Sequence, residues 1–275
     1  MNGERRAVSG TTTRYRLALL AGIGAFTVGA QAPPSSPPRD SVLATAISLA
    51  PLHPVEAAAL FEALTLRDSL DTEAHWRAAI VLTEAASALM EKADRPRRDS
   101  LNARAEAHGR RARALDSSGA EAAFALGLAL GNTALTKGIR ERVRMAVEVR
   151  QLALRALAAD STHDGAHHLL GRWHAEVRRL SGFERLIAKT ILGGGVFGEA
   201  SWAEARAHLE RAVVLDSIRI FHCLDLAKVC YDLKDYDCAA AQLRQVEALP
   251  ERIAMDTRYK QEGARLQARV ERSRN

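Results

Sequence analysis

The sequence predicts an all-α fold in which helical hairpins stack into a superhelix. The chain has 275 residues, 47% of them apolar, and is rich in Ala, Leu, Arg and Glu, which favour helix. No proline lies between Arg97 and Leu249, so that stretch lacks the strongest helix breaker. No segment alternates polar and apolar residues as a strand would, and a set of short motifs recurs along the chain in one register.

The first thirty residues resemble an export signal. Arginines precede an apolar run from Leu17 to Ala30, and small residues at Val28 and Ala30 fit a cleavage site. The run is short for a membrane span. We predict cleavage after Ala30 and a periplasmic or secreted location. A retained inner-membrane anchor and a cytosolic chain are the alternatives. Residues 31–40 form a proline-rich linker, and residues 41–275 are predicted to be the helical repeat domain.

An Asp-Ser phrase recurs at predicted helix ends, at residues 68–69, 116–117, 160–161 and 216–217. A pair of compact residues follows each serine by nine and ten positions. These pairs are Ala78-Ala79, Leu126-Gly127, Leu170-Gly171 and Leu226-Ala227. The register is that of tetratricopeptide repeats, in which small residues let two paired helices cross closely. We therefore predict that Gly127 and Gly171 lie at helix crossings.

The spacing of the repeats is irregular. Successive Asp-Ser marks lie 48, 44 and 56 residues apart, longer than the ~34 of an ideal unit. The flanking marks keep their distances, so each insertion falls between the two helices of a hairpin. The glycine-rich stretch 193–198 is predicted as a flexible loop rather than a phosphate loop. Helices are predicted over 41–50, 55–68, 72–92, 98–115, 120–136, 139–159, 164–180, 183–192, 201–215, 218–232, 235–248 and 252–271.

A longer motif extends beyond the generic repeat in the C-terminal part of the chain. It comprises His167-His168-Leu169-Leu170-Gly171-Arg172-Trp173, Phe183-Glu184-Arg185, Trp202-Ala203-Glu204-Ala205, Leu209-Glu210-Arg211-Ala212 and a final Tyr-x-x-Ala helix. In these motifs the sequence resembles the regulator of microtubule dynamics protein family. The resemblance implies a helical-repeat scaffold, associated with microtubules and organelle contacts in eukaryotic members, and brings no catalytic residue. The export-type leader and the Ala/Arg-rich composition indicate a bacterial member.

The charge distribution argues against nucleic acid as a partner. The chain carries 39 basic and 33 acidic residues, and the net charge of +6 falls to +3 without the first thirty residues. The remaining basic residues are interleaved with acids and lack stacking aromatic residues, so they indicate solvated helix faces. An acidic protein tail or lipid head groups remain the alternative partners for these faces.

Three cysteines occur, and none has the spacing of a zinc or CxxC motif. Cys223 and Cys230 are too far apart on one predicted helix to form a disulfide. Cys230 and Cys238 could face each other across a hairpin. The pattern favours buried, apolar cysteines.

One helix carries a possible metal site. His163, His167 and His174 lie broadly on one face, and a metal-dependent enzyme built on them is the distant alternative function. Helix contacts are the favoured interpretation of these histidines. No motif of a hydrolase, zinc protease, dinucleotide-binding protein or phosphate-binding loop occurs. We therefore predict no enzyme activity, no cofactor and no metal.

The function that this sequence predicts is a scaffold that binds an extended peptide or helix of another protein on its concave face. A membrane-anchored envelope assembly or lipid-contact factor is the alternative. In the repeat register, Arg172 and Lys228 are expected to orient an acidic group of the partner. The predicted partner-binding residues are Trp76, Ile80, Phe124, Leu128, His168, Arg172, Phe221, Leu224, Lys228 and Tyr231.

Overall fold

The architecture is a row of antiparallel helical hairpins, seen in a computed structural model that describes residues 37–89, 91–182, 184, 186 and 198–274. The leader, residues 31–36 and most of the predicted helix 183–192 and glycine-rich stretch 193–198 lie outside these residues. Eleven α-helices and no strand occur in the described parts of the chain. The helices are α1 (Arg39–Leu49), α2 (Pro54–Arg67), α3 (Thr72–Ala88), α4 (Arg95–Leu115), α5 (Ala120–Ala134), α6 (Ile139–Ala159), α7 (Asp164–Arg179), α8 (Trp202–Leu215), α9 (Ile220–Asp232), α10 (Tyr236–Ala248) and α11 (Asp256–Arg274).

Each helix packs against the next helix in the chain, which gives the hairpins α1–α2, α3–α4, α5–α6, α7–α8 and α9–α10, with α11 at the end. The first helices of successive hairpins also contact one another, α3 with α5, α5 with α7 and α7 with α9. The predicted all-α superhelix of tetratricopeptide-like hairpins is therefore confirmed. No helix in the described residues has both the length and the hydropathy of a membrane span.

The recurring aspartate forms the turn between hairpins. At each Asp-Ser phrase an Asp side-chain oxygen accepts a hydrogen bond from the backbone N–H two residues later, as in an Asx turn. The four bonds run from Leu70 to Asp68, Ser118 to Asp116, Thr162 to Asp160 and Ile218 to Asp216, at 2.8–3.3 Å. The motif therefore ends the second helix of one hairpin and redirects the chain into the next.

Glycines lie at the predicted helix crossings. A Cβ atom on Gly171 would lie 3.1 Å from the carbonyl oxygen of Ala205 and 2.8 Å from Cγ of Leu209. A Cβ atom on Gly127 would lie 3.3 Å from Cβ of Leu152 on the paired helix α6 and 2.8 Å from Cδ2 of Leu169 on α7. Both glycines therefore lie at close helix crossings, as the register predicts, because a larger residue would crowd the neighbouring helices.

The cysteines are not all free. Cys230 and Cys238 form a disulfide between α9 and α10, with their Cα atoms 5.8 Å apart, while Cys223 is free and buried. The favoured interpretation as a buried, apolar cysteine therefore holds for Cys223, while the pairing of Cys230 with Cys238, which the sequence left open, is formed. A tight turn at Lys234, whose φ is 61°, brings the two helix ends together and places both thiols within bonding distance.

The last connection of the chain touches the first hairpin. The backbone N–H of Ala254 donates a 2.8 Å hydrogen bond to the carbonyl oxygen of Pro51, and Nη1 of Arg258 donates one of 3.1 Å to the carbonyl oxygen of Ser87. The buried carboxylate of Asp256 holds this connection by accepting hydrogen bonds from the backbone of residues 252 and 253. The connection between α10 and α11 therefore crosses the concave face and reaches the first hairpin.

Candidate functional site: a bridged cavity on the concave face

A cavity of about 570 Å³ occupies the concave face. Helices α3, α5, α6 and α7 supply most of its wall, Phe221 at the start of α9 adds to it, and the connection before α11 closes one side. Its apolar lining includes Ile80, Phe124, Leu128, Phe221 and Met255. The volume lies within the ~300–1,000 Å³ of protein pockets that bind small ligands, and such pockets combine apolar walls with a few polar groups.

The structure brings six of the ten predicted partner-binding residues to this cavity. They are Ile80, Phe124, Leu128, His168, Arg172 and Phe221. Leu224 instead lies in the core and is only 1% exposed. The remaining three, Trp76, Lys228 and Tyr231, do not line the cavity either. The ring of Trp76 lies beneath the guanidinium of Arg77. The ring of Tyr231 contacts Tyr236 and Arg269. Helix α11 contacts α9, which explains why the predicted inward face of α9 is largely occupied.

Phe124 is held in place by a glycine and a histidine. A Cβ atom on Gly165 would lie 2.7 Å from Cζ of Phe124, so this position has to be glycine for the ring to fit. The ring of His163 packs 4.6 Å from that of Phe124, and its Nδ1 accepts a hydrogen bond from the backbone of Ala166 at the start of α7. Burial lowers the pKa of His163, but the carboxylate of Glu121 outweighs it and raises that pKa overall.

Asp225 on α9 is the centre of the charged network beside the cavity. Its carboxylate lies 3.2 Å from Nε of Arg172, 2.8 Å from Nζ of Lys228 and 3.2 Å from Nε2 of His168. Burial alone would raise the pKa of Asp225, but Arg172 and Lys228 hold it well below its ordinary value. The acidic group that these two cations were expected to take from a partner is thus present within the chain.

Two histidines extend this network. Nδ1 of His222 lies 3.0 Å from Nδ1 of His168, and Nε2 of His222 lies 3.0 Å from a carboxylate oxygen of Asp164. Burial lowers the pKa of His168 to about 4. Burial would raise the pKa of Asp164, but the hydrogen bond from His222 lowers it to about 2. Sequence reasoning missed Asp164, His222 and Asp225, although each lies next to a predicted inward position.

Glu84 on α3 contributes a carboxylate to the wall of the cavity. Its side chain is half-buried and lines the cavity, and no hydrogen bond or ion pair joins it to any other side chain that the structure describes. Burial raises its pKa to about 7, against a smaller opposing effect of Arg219. The arginines of the wall are already paired with acids, as Arg142–Glu184, Arg172–Asp225, Arg179–Asp232 and Arg219–Asp216. The uncompensated charge of this cavity is therefore negative.

The three histidines proposed from the sequence as a metal site do not converge. Nε2 of His163 lies 3.7 Å from Glu121, and Nδ1 of His167 lies 2.9 Å from Nδ1 of His208. His174 is grouped with Glu204 and His208, outside the cavity, rather than with His163. The sequence did not indicate this group because His208 comes from the neighbouring helix, α8.

Comparison with solved structures identifies the fold. A thermophilic tetratricopeptide protein of Thermus thermophilus, TTC0263, is 16% identical and aligns over 86% of this chain and 98% of its own, with a TM-score of 0.55. PilF of Pseudomonas aeruginosa is 16% identical over 84% of this chain and 88% of its own, with a TM-score of 0.47. At these identities the likeness concerns the fold alone. Curated protein sequences gave no match.

A family profile covers most of the chain. The profile described as "Regulator of microtubule dynamics protein 1-3" matches residues 53–271, from the start of α2 almost to the end of α11. This span contains every hairpin from α3 to α10 and all the residues of the cavity wall except Pro51. The chain therefore belongs to the regulator of microtubule dynamics protein family.

Proposed function

We propose that this protein is a non-enzymatic scaffold whose bridged cavity binds a short segment of another protein, one that carries apolar side chains and a basic residue. The observation that carries this proposal is Glu84, a half-buried carboxylate that has no hydrogen-bond or ion-pair partner among the described residues, in an apolar wall whose arginines are paired with acids. A lysine or arginine of the partner would supply the missing opposite charge. The apolar residues around it would take up the neighbouring side chains.

The size of the cavity favours a short segment. An α-helix with its side chains is about 10–12 Å wide and rises about 5.4 Å per turn, so one turn fills roughly 500 Å³. The cavity of about 570 Å³ therefore accommodates one helical turn or a few extended residues. Because the Ala254–Pro51 contact bridges one side, a long helix could not lie through it without separating these residues.

Binding of a basic residue should depend on pH. Glu84 attracts a cation only when it is ionised, and burial raises its pKa to about 7. The affinity for a basic segment should therefore rise as the pH increases through 7 and fall below it. An acidic segment would show no such gain.

Selection of peptides from a random displayed library on the purified full chain tests this function. We expect the enriched peptides to combine Lys or Arg with apolar residues, and to bind Glu84→Gln at least tenfold more weakly. Glu210→Gln is the matched control, because Glu210 is an exposed acid on α8 away from the cavity. Equal affinity for the wild type and Glu84→Gln would contradict the role of Glu84. Selected peptides that still bind Leu128→Glu would contradict the cavity as the site.

Tubulin enters as a candidate partner through the description of the family. Cosedimentation of the wild type and Glu84→Gln with microtubules shows whether tubulin would use this cavity. Loss of cosedimentation in the variant alone would make tubulin a ligand of the cavity.

We also propose that the chain is exported. The Cys230–Cys238 disulfide supports this, because disulfides persist mainly in oxidising compartments. N-terminal sequencing of the mature protein should give Gln31 as the first residue. A full-length species in the membrane fraction would instead establish the anchored alternative.

A further inference from the structure

Three potential metal ligands meet between α7 and α8, outside the cavity. His174 comes from α7, and Glu204 and His208 lie one turn apart on α8. One ligand atom of each lies within 4.8 Å of the others. His174 is buried, His208 half-buried and Glu204 exposed, so the group opens to solvent on the carboxylate side. A carboxylate and two imidazoles are a common set for a transition-metal ion.

Hydrogen bonds determine which ring nitrogen of His208 carries the lone pair that could bind a metal ion. The carbonyl oxygen of Ser161 can only accept, so Nε2 of His167, 3.1 Å away, carries a proton and donates it. In neutral His167, Nδ1 is then an acceptor, and Nδ1 of His208, 2.9 Å away, donates to it. The lone pair of His208 therefore lies on Nε2, the nitrogen 3.8 Å from Glu204. An outer residue that orients a histidine in this way is typical of metal sites.

His174 also presents a lone pair to α8. The backbone N–H of Ser201, just before α8, donates a long hydrogen bond of 3.4 Å to Nδ1 of His174. The proton of the neutral ring is then on Nε2, and a metal ion bound to Nδ1 would take the place of this long hydrogen bond. Trp173 packs edge-on against the ring at 5.0 Å and helps to fix its orientation.

The nearest cation to His174 is held away from an incoming ion, because Arg150 forms an ion pair with Glu199.

We propose that His174, Glu204 and His208 bind one Zn²⁺ ion, with His167 as the residue that positions His208. In a tetrahedral site the ligand atoms lie about 2.0–2.2 Å from zinc and therefore roughly 3.4 Å from one another. The present separation closes to that distance with small side-chain movements of the exposed Glu204 and the half-buried His208. Such an ion would join α7 to α8 and leave its fourth position to water.

The chain contains its own control. In the α3–α4 hairpin, Nδ1 of His75 lies 2.9 Å from Nδ1 of His108, and Nε2 of His75 lies 3.3 Å from the carbonyl oxygen of Ser69. His108 thus repeats the arrangement of His208. Glu62 lies near it, but no third ligand completes a metal group there within the described residues. His108→Gln therefore removes the same kind of hydrogen bond without removing a proposed ligand.

Titration of the chelator-treated full chain with Zn²⁺ by calorimetry tests the site. We expect one ion per chain. Affinity should fall at least tenfold in Glu204→Gln and His208→Gln, fall about tenfold in His167→Gln, and stay unchanged in His108→Gln. The wild-type chain loaded with Co²⁺ should show the visible absorption spectrum of a site of low coordination number. The Glu204→Gln chain with Co²⁺ should not show this spectrum.

Glu204 is exposed, so its variant should fold normally, and circular dichroism checks this. The proposal is overturned if the folded wild-type chain binds no stoichiometric Zn²⁺, or if Glu204→Gln binds it as tightly as the wild type does. It is also overturned if His108→Gln loses as much affinity as His208→Gln. None of these outcomes depends on whether the cavity binds a peptide, so the two proposals can fail separately.

Discussion

The backbone N–H of Ala254 donates a hydrogen bond of 2.8 Å to the carbonyl oxygen of Pro51, which ties the end of the repeat array to its first hairpin. A helical superhelix presents an open groove unless something crosses it. Here the connection between α10 and α11 crosses it, and residues 253–255 form part of the cavity wall. A partner must therefore enter beside this connection or displace it.

Arg258→Ala should weaken the bridge. Nη1 of Arg258 donates to the carbonyl oxygen of Ser87, and the loss of a partly buried bond of this kind costs about 1–2 kcal/mol. We expect faster hydrogen exchange at the amide of Ala254 with little change in the cores of the other hairpins. Arg274→Ala, an exposed arginine at the end of α11, is the control. Unchanged exchange at Ala254 would show that Arg258 does not hold the bridge.

Asp225→Asn should be among the most destabilising single changes on α9. It removes the negative charge from a half-buried site where two cations and a histidine converge, and loss of one partner of a fully buried ion pair costs about 3–5 kcal/mol, which sets the upper end of the expected loss. Asp232→Asn on the same helix breaks an exposed pair with Arg179 and should cost less than about 1 kcal/mol. Denaturant unfolding of the two variants measures the difference, and equal losses would contradict the central role of Asp225.

The same network changes the expected effect of reversing Arg172 and Lys228 to glutamate. If Arg172 and Lys228 were unpaired cations on the surface of a groove, replacing them would cost almost no stability. In the structure both contact Asp225, so two new carboxylates would face a buried third. We therefore expect this double variant to unfold at lower denaturant concentration, and it cannot serve as a test of binding alone.

The repeat core could be predicted from the sequence because it depends on local and periodic signals. The Asp-Ser turns follow from a hydrogen bond between residues two apart, and the glycine at position 171 follows from steric contact within one hairpin. The burial of the Leu224 side chain could not be predicted, because it depends on how α11 packs against α9. The role of Glu84 depends in the same way on which distant acids neutralise arginines of the wall, as Asp225 does for Arg172.

Gly171→Ala should destabilise the chain by about 1–3 kcal/mol, because the new Cβ would meet the backbone of α8 at 3.1 Å and that backbone cannot move away freely. Gly131 is the matched control on α5. A Cβ atom there would meet only Cδ1 of Leu169, at 3.7 Å. Gly131→Ala should therefore stabilise the chain by about 0.5–1 kcal/mol through helix propensity. Thermal unfolding gives both values, and shifts of the same sign would contradict the assignment of Gly171 to a close crossing.

Glu84 should make the protein less stable as the pH rises toward 7. Burial raises the pKa of Glu84 from an ordinary 4.5 to about 7 in the folded chain. Between these two values the folded state binds more protons than the unfolded state, so the free energy of unfolding falls with increasing pH. Above pH 7 the full penalty applies, at most about 3 kcal/mol for a shift of this size.

Glu84→Gln should remove this penalty. The variant and the wild type should have similar free energies of unfolding near pH 4.5, and the variant should become progressively more stable than the wild type up to about pH 8. Denaturant unfolding at several pH values gives the difference directly, and the histidines cancel because both proteins carry them. Glu210→Gln, on the exposed surface of α8, is the control for the Glu-to-Gln change itself. A constant difference between Glu84→Gln and the wild type across this range would mean that Glu84 titrates as an ordinary solvated acid, and the charge proposed for the cavity would then have no basis.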